Sequence, residues 1–174
     1  MLSFTARGAC SRALALALAL TASGMANADR ARAADPVERG RYLTTIMDCN
    51  GCHTPGALIG QPDMEHPLSG SDVGFQLPGL GIFYPPNLTP DEATGLGKWS
   101  EADIVKAIRT GIRPDGRELA PIMAWRSYGA LTDADAAAIA AYLKSLTPVA
   151  HKAPGPFGEG EKPTHPYMTV AMPQ

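Results

Sequence analysis

The chain has 174 residues, 15 Lys and Arg against 17 Asp and Glu, and a net charge of −2. That balance excludes a nucleic-acid binder that works through a basic face. The length suits one domain.

Arg7 and Arg12 precede an apolar run of alternating Ala and Leu, and Ala26-Asn27-Ala28 follows as a small-x-small cleavage site. Residues 1–28 therefore read as a secretory signal peptide, with Ala31-Arg32-Ala33 as a second possible site. The apolar run is too short to span a bilayer, which takes about 20 residues. Export to the periplasm is the expectation, as a soluble protein without a transmembrane anchor. Cys10 leaves with the leader, and cleavage after Ala28 leaves 13 basic and 17 acidic residues, a net charge of −4.

Asp35-Pro36-Val37-Glu38 has the pattern of a helix start, with a capping Asp, Pro at the first helical position and Glu closing a capping box. The helix is expected to run to about Asp48, with Val37, Gly40, Leu43 and Met47 on one face. It leads directly into Cys49-Asn50-Gly51-Cys52-His53. Cys-x-x-Cys-His is the attachment motif of c-type haem. The thiols of Cys49 and Cys52 are spaced to bond both porphyrin vinyl groups, and His53 becomes the proximal iron ligand. A zinc site needs more thiolates or a spaced His pair, and a thioredoxin-like disulfide wants a βαβ setting. Neither is present around this motif.

Residues 54–98 are different: 15 of these 45 residues are Gly or Pro. A long irregular stretch of this kind normally counts against a compact domain. A buried porphyrin would supply the apolar surface that regular structure otherwise provides. Within the stretch, residues 73–77 and 82–85 are expected to pair as a short hairpin across Pro78-Gly79. Ser100-Glu101-Ala102-Asp103 then opens a second helix through Thr110, with Ile104, Val105 and Ile108 inward and Gly111 as a left-handed C-cap. A turn at Pro114-Asp115-Gly116 follows. Thr132-Asp133-Ala134-Asp135 opens the third helix, which carries Ile139, Leu143 and Leu146 and stops before Pro148. Residues 150–174 read as an extended C-terminal tail. Lys98, Lys106, Arg109, Arg113, Arg117 and Arg126 cluster around the second helix and the loop after it, which predicts a basic side to the molecule.

A haem electron carrier needs a ligand on the far side of the iron, usually Met or His. Met47 sits on the helix entering the haem motif and is badly placed for the opposite face. Met64 and His66 are cramped, 11 and 13 residues after His53. Met168, Met172, His151 and His165 lie in the tail. Met123, in the loop Ala120-Pro121-Ile122-Met123-Ala124-Trp125 between two helices, is the expected axial ligand. The competing reading is a methionine that fills a gap in the core.

An entry helix into Cys-x-x-Cys-His, a loop-borne Met and a closing helix resemble class I cytochrome c. Gly40-Arg41-Tyr42-Leu43, Asn87-Leu88-Thr89-Pro90-Asp91, Thr94-Gly95-Leu96-Gly97-Lys98-Trp99 and Ala141-Tyr142-Leu143 resemble, more narrowly, one haem module of the cytochrome c subunits of bacterial membrane-bound alcohol and gluconate dehydrogenases. The resemblance implies a mostly α fold, with about three main helices around one covalent haem c and a cytochrome domain over residues 29–149. It also implies a carrier rather than an enzyme. The donor would be a periplasmic or membrane-bound dehydrogenase, and the acceptor a terminal oxidase or another cytochrome. In Pro86-Asn87-Leu88 it suggests the Pro86 carbonyl as acceptor for the His53 ring N–H. Trp99 has two readings, a donor to a haem propionate or a core residue. A haem peroxidase or ligand sensor is the alternative function, and it requires an open or displaceable sixth position.

Overall fold

A computed structural model describes residues 35–171. The expected leader, both cleavage sites and Met172 lie outside the described residues. Among the described residues the chain forms five helices and a three-stranded sheet: α1 (Pro36–Ile46), α2 (Cys49–His53), β1 (Gly74–Leu77), β2 (Gly81–Phe83), α3 (Glu101–Thr110), α4 (Trp125–Tyr128), α5 (Asp133–Ser145) and β3 (Tyr167–Met168). A 3-10 turn at Ala57–Ile59 follows α2. None of these helices is long and apolar enough to cross a membrane.

The entry helix is shorter than its apolar stripe implies. Asp48 adopts the left-handed conformation, φ 53° and ψ 41°, which an Asp tolerates better than most residues. That break ends α1 at Ile46 and lets the haem motif restart as a helix of its own. α1 packs chiefly on α5. The crossing is close at Gly40, where a Cβ would lie 2.0 Å from the Ala138 carbonyl oxygen. Only glycine leaves room for the two backbones. Beside the crossing, the exposed Arg39 Nε donates to Asp135 at 2.9 Å.

The caps of α3 are as expected. Ser100 Oγ accepts from the Asp103 N–H, the Asp103 carboxylate accepts from the Ser100 N–H, and Gly111 closes the helix at φ 75°. At α5 only half of the expected box is closed by its own residues: Thr132 Oγ1 accepts from the Asp135 N–H, while the Asp135 carboxylate is drawn to Arg39. Leu43, Ile104, Ile139, Ala140 and Leu143 from the three long helices meet Leu68 and Leu96 in one apolar core.

The Gly/Pro-rich stretch is held by hydrogen bonds among buried polar groups. Thr54, Ser69, Ser71, Asn87 and Thr89 are all buried. The Gly70 N–H donates to the His53 carbonyl, Leu88 to Leu68 and Ser71 to Pro85. The hairpin forms with Phe75 opposite Phe83 and Leu77 opposite Gly81. Residues after Val149 run back over this stretch. Phe157 bridges Ile82 on the outer edge of β2, and β3 pairs parallel with β1 on its other edge. The tail is extended, and it clasps the hairpin from both sides.

Gly40→Ala should lower the unfolding free energy by about 1–3 kcal/mol, the usual cost of overpacking. Denaturant unfolding of parent and variant checks this. An unchanged midpoint would mean that α1 and α5 can separate at no cost.

Candidate cofactor site

α2 is a little over one turn long, and three of its five residues carry chemistry. Cys49 and Cys52, three apart, share a helix face. Both are free thiols. Burial, with the nearby Asp48 carboxylate, pushes the Cys49 thiol up to about 11 and raises Cys52 as well. Dithiol redox sites do the opposite, because their attacking cysteine needs a depressed pKa.

His53 is buried, and its Nδ1 lies 2.8 Å from the Pro86 carbonyl oxygen. A carbonyl only accepts, so Nδ1 carries the proton and Nε2 keeps its lone pair. Burial also holds the ring below the ordinary histidine range, against the opposing bond to Pro86. The side chain is therefore a neutral imidazole, oriented by a partner beyond the ligand itself, which is the usual design for a metal-ligating histidine. Pro86 is kept in place by its neighbour. Asn87 Nδ2 donates to Thr94 Oγ1 at 3.0 Å and to the Val149 carbonyl at 2.7 Å, and its Oδ1 accepts from the Thr89 N–H at 2.9 Å.

The loop after α3 brings Met123 to α4. Met123 is half-buried, and its N–H donates to the Ala120 carbonyl at 2.9 Å. α4 then carries Tyr128 close enough to Cys49 and Cys52 for those thiols to contribute, after burial, to raising its phenol pKa. Among the described residues, Met47 packs against the apolar core, and the other candidate ligands are engaged elsewhere or face solvent. Met64 is exposed and lines an open groove with residues 146–150. His66 is exposed and pairs with Asp63 at 2.8 Å. His151 Nδ1 bonds the Ser69 carbonyl at 2.7 Å. His165 bonds Thr164, and Met168 lies in β3.

Trp99 is half-buried against the apolar core, with the Arg113 guanidinium 5.4 Å above its ring. Sequence reasoning gave Trp125 no role, yet its indole lies on the backbone of Gly111. A Cβ there would come within 2.6 Å of the ring. Among the described residues, two buried side-chain donors have no partner, Arg113 Nε and Trp125 Nε1. An unpaired buried donor costs about 1–3 kcal/mol. The expected basic side is partly neutralised, since Arg109 pairs with Asp133, Arg113 with Asp115 at 3.3 Å and Arg126 with Glu118 at 3.8 Å.

A profile of the cytochrome c family matches residues 37–147. The chain belongs to the cytochrome c family. Its relatives include a nicotinate dehydrogenase subunit of Pseudomonas putida, 40% identical over 121 residues, which cover 68% of this chain and 9% of that protein. The cytochrome c subunit of the quinone alcohol dehydrogenase of Gluconobacter oxydans is 36% identical over 145 residues, 82% of this chain and 28% of that one. The gluconate 2-dehydrogenase cytochrome c subunit of Pantoea cypripedii is 37% identical over 115 residues, 66% of this chain and 24% of the other. This cytochrome thus spans less than a third of the length of each of the three.

Covalently bound haem c is the cofactor of the family, and the residues present fit it. Two free thiols lie on one helix face, a neutral histidine beside them offers Nε2, and of two unpaired buried donors one lies on the loop after α3 and one at the start of α4. One sequence signal would have found Trp125: an aromatic residue two positions after the candidate ligand, facing a glycine C-cap.

Gly111→Ala should destabilise the cytochrome by more than the roughly 1–2 kcal/mol of a left-handed non-glycine residue, because the new methyl group also displaces the Trp125 ring. Gly116 has a similar φ of 81° with open space around it, so Gly116→Ala should show the backbone penalty alone. Equal losses in the two variants, measured by denaturant unfolding, would mean that the ring contact contributes nothing.

Proposed function

We propose that the chain is a periplasmic single-haem cytochrome that takes electrons from a dehydrogenase and passes them to a terminal oxidase or another cytochrome. The observation that carries this reading is the bond between His53 Nδ1 and the Pro86 carbonyl at 2.8 Å. It fixes the tautomer that ligates, in a residue adjacent to the two thiols. Cys49 and Cys52 form the thioethers, and His53 and Met123 are the axial ligands. Haem supplies a one-electron iron couple when bound. The protein's part is to bury His53, to hold its ring through Pro86, and to bring Met123 in on the loop that α3 and α5 flank.

One further observation supports Met123: of its competitors, Met64 and Met168 are exposed, Met47 packs against the apolar core, and His66, His151 and His165 are bonded elsewhere. A thioether ligand raises the potential, which suits a protein placed after a dehydrogenase. With both axial positions filled, the iron has no place for substrate. The relatives named as dehydrogenase cytochrome c subunits support a dehydrogenase donor. Docking to it would use the small, weak contacts of electron-transfer encounters.

Cys49→Ala combined with Cys52→Ala should abolish haem stain on a denaturing gel. Retained stain would refute covalent attachment at this motif. Met123→Ala should keep the stain, lose the methionine-to-iron charge-transfer band, lower the potential and raise peroxidase activity. Met64→Ala and Met168→Ala should leave all of these unchanged. An unaltered spectrum in Met123→Ala would move the axial ligand to another residue. A high-spin, ligand-accessible iron in the parent would favour a peroxidase or sensor over the carrier.

A further inference from the structure

His151 belongs to the C-terminal segment, yet its bonds converge on His53 from two sides. On the first side its Nδ1 lies 2.7 Å from the Ser69 carbonyl oxygen; a carbonyl only accepts, so Nδ1 is the donor. Ser69 is fully buried, and a buried carbonyl needs a donor. The other end of that peptide unit, the Gly70 N–H, donates to the His53 carbonyl at 2.7 Å. One peptide group, bonded at both ends, thus separates the ring of His151 from the main chain of His53. Bonds linked in this way polarise and strengthen one another. On the second side the His151 N–H donates to Thr94 Oγ1 at 3.1 Å, and the His151 carbonyl accepts from Asn87 Nδ2 at 3.3 Å. Asn87 follows Pro86, whose carbonyl holds the His53 ring. The two sides meet at Gly70. Its φ is 104°, and a Cβ there would lie 3.0 Å from the Asn87 nitrogen and 3.2 Å from the Pro86 carbonyl carbon. The Ser69–Gly70 peptide therefore rests directly on the Pro86–Asn87 peptide, and His151 is bonded to both.

We propose that His151 is a positioning residue for the iron ligand: it clamps the Ser69–Gly70 peptide onto Pro86–Asn87 and so sets the strength of the bond from His53 Nδ1–H to the Pro86 carbonyl. The inference rests on the iron ligation by His53 proposed above. A firm bond at Nδ1 makes the imidazole more basic at Nε2. That favours the ferric state and holds the potential down, against the thioether that raises it. The Nε2 of His151 faces the exposed Asp72 carboxylate at 3.2 Å, away from this path, which gives the two ring nitrogens separable roles.

The test uses the haem-loaded protein, with attachment verified first by haem stain, so that absent stain sinks the earlier reading and not this one. An Asn amide nitrogen reaches about as far as His Nδ1, and a Gln amide nitrogen about as far as Nε2. His151→Asn should therefore keep the Ser69 bond and the parent potential. His151→Gln and His151→Leu should lose that bond. In both, the potential should rise and the His53 Nδ1 proton should exchange roughly tenfold faster, the worth of one hydrogen bond. Phe157→Ala removes a different anchor of the same segment, the ring against Tyr84. It should lower the unfolding midpoint and leave the potential and the His53 exchange rate unmoved, which a merely stabilising role for His151 would not distinguish. One measurement needs no variant to fold: the Gly70 amide of the 15N-labelled parent should exchange slowly with solvent. A parent potential in both His151→Gln and His151→Leu, an equal shift in His151→Asn or Phe157→Ala, or a Gly70 amide that exchanges at once would overturn the proposal.

Discussion

The bond from His53 Nδ1–H to the Pro86 carbonyl, 2.8 Å long, joins residues 33 apart in sequence. Much of the fold between them follows from that requirement. A buried imidazole with an unpaired N–H would cost about 1–3 kcal/mol, so the chain must return a carbonyl to this point. Neighbouring bonds draw the same strands of loop together: Gly70 N–H to His53 O, Ser71 N–H to Pro85 O, and Leu88 N–H to Leu68 O. A proline is a sound choice for the acceptor. Its fixed φ restrains the carbonyl, and having no N–H of its own, it adds no donor to satisfy in a region already crowded with them.

Asn87 carries this restraint outward. Its side chain is buried and bonded on both ends, to Thr89 and Thr94 within its own loop and to the Val149 carbonyl of the C-terminal segment. The segment that follows is attached at several further points. His151 reaches the Ser69 carbonyl, the His165 carbonyl accepts from the Tyr84 hydroxyl at 2.8 Å, and Phe157 and β3 flank the hairpin. A stretch that looks like a trailing tail therefore steadies the loop that orients His53. The connection runs through polar groups with defined directions, and so it transmits position better than an apolar contact would.

What could be read from the sequence was local. The α3 capping box and its Gly111 stop, the hairpin turn, the helix stripes and the Cys-x-x-Cys-His motif all lie within a few residues of one another. What could not be read depends on long-range partners. Lys144 donates to the carbonyls of Leu96, Gly97 and Trp99, pinning the loop before α3 to α5. In sequence it is one more surface lysine. Asp135 fits a capping box, yet its carboxylate goes to Arg39 on another helix. α4 is four residues long, too short for any periodicity to appear. The Gly/Pro-rich stretch was expected to depend on the porphyrin for its packing. Its buried Thr, Ser and Asn side chains also supply a hydrogen-bonded framework, for which composition carries no signal.

A protein has few levers on a haem: the axial ligands, the bonds behind them, and the burial of the site. In this cytochrome the residues proposed for the first two lie largely in loops. Met123 sits between helices, and Pro86 in a stretch with almost no regular structure. Loops are ordinarily the mobile parts of a fold, which would suit a ligand meant to leave the iron. Here the loop behind His53 is bonded to the α2 helix on one side and to the C-terminal segment on the other, so the proximal side is stiff. The Met123 loop is held by its own turns, by the Leu119 N–H on the Gly111 carbonyl at 2.7 Å, and by the indole of Trp125 on Gly111. Contacts around Trp125 and Gly111 therefore bear on where Met123 sits, and those around Pro86 and Asn87 on where His53 sits.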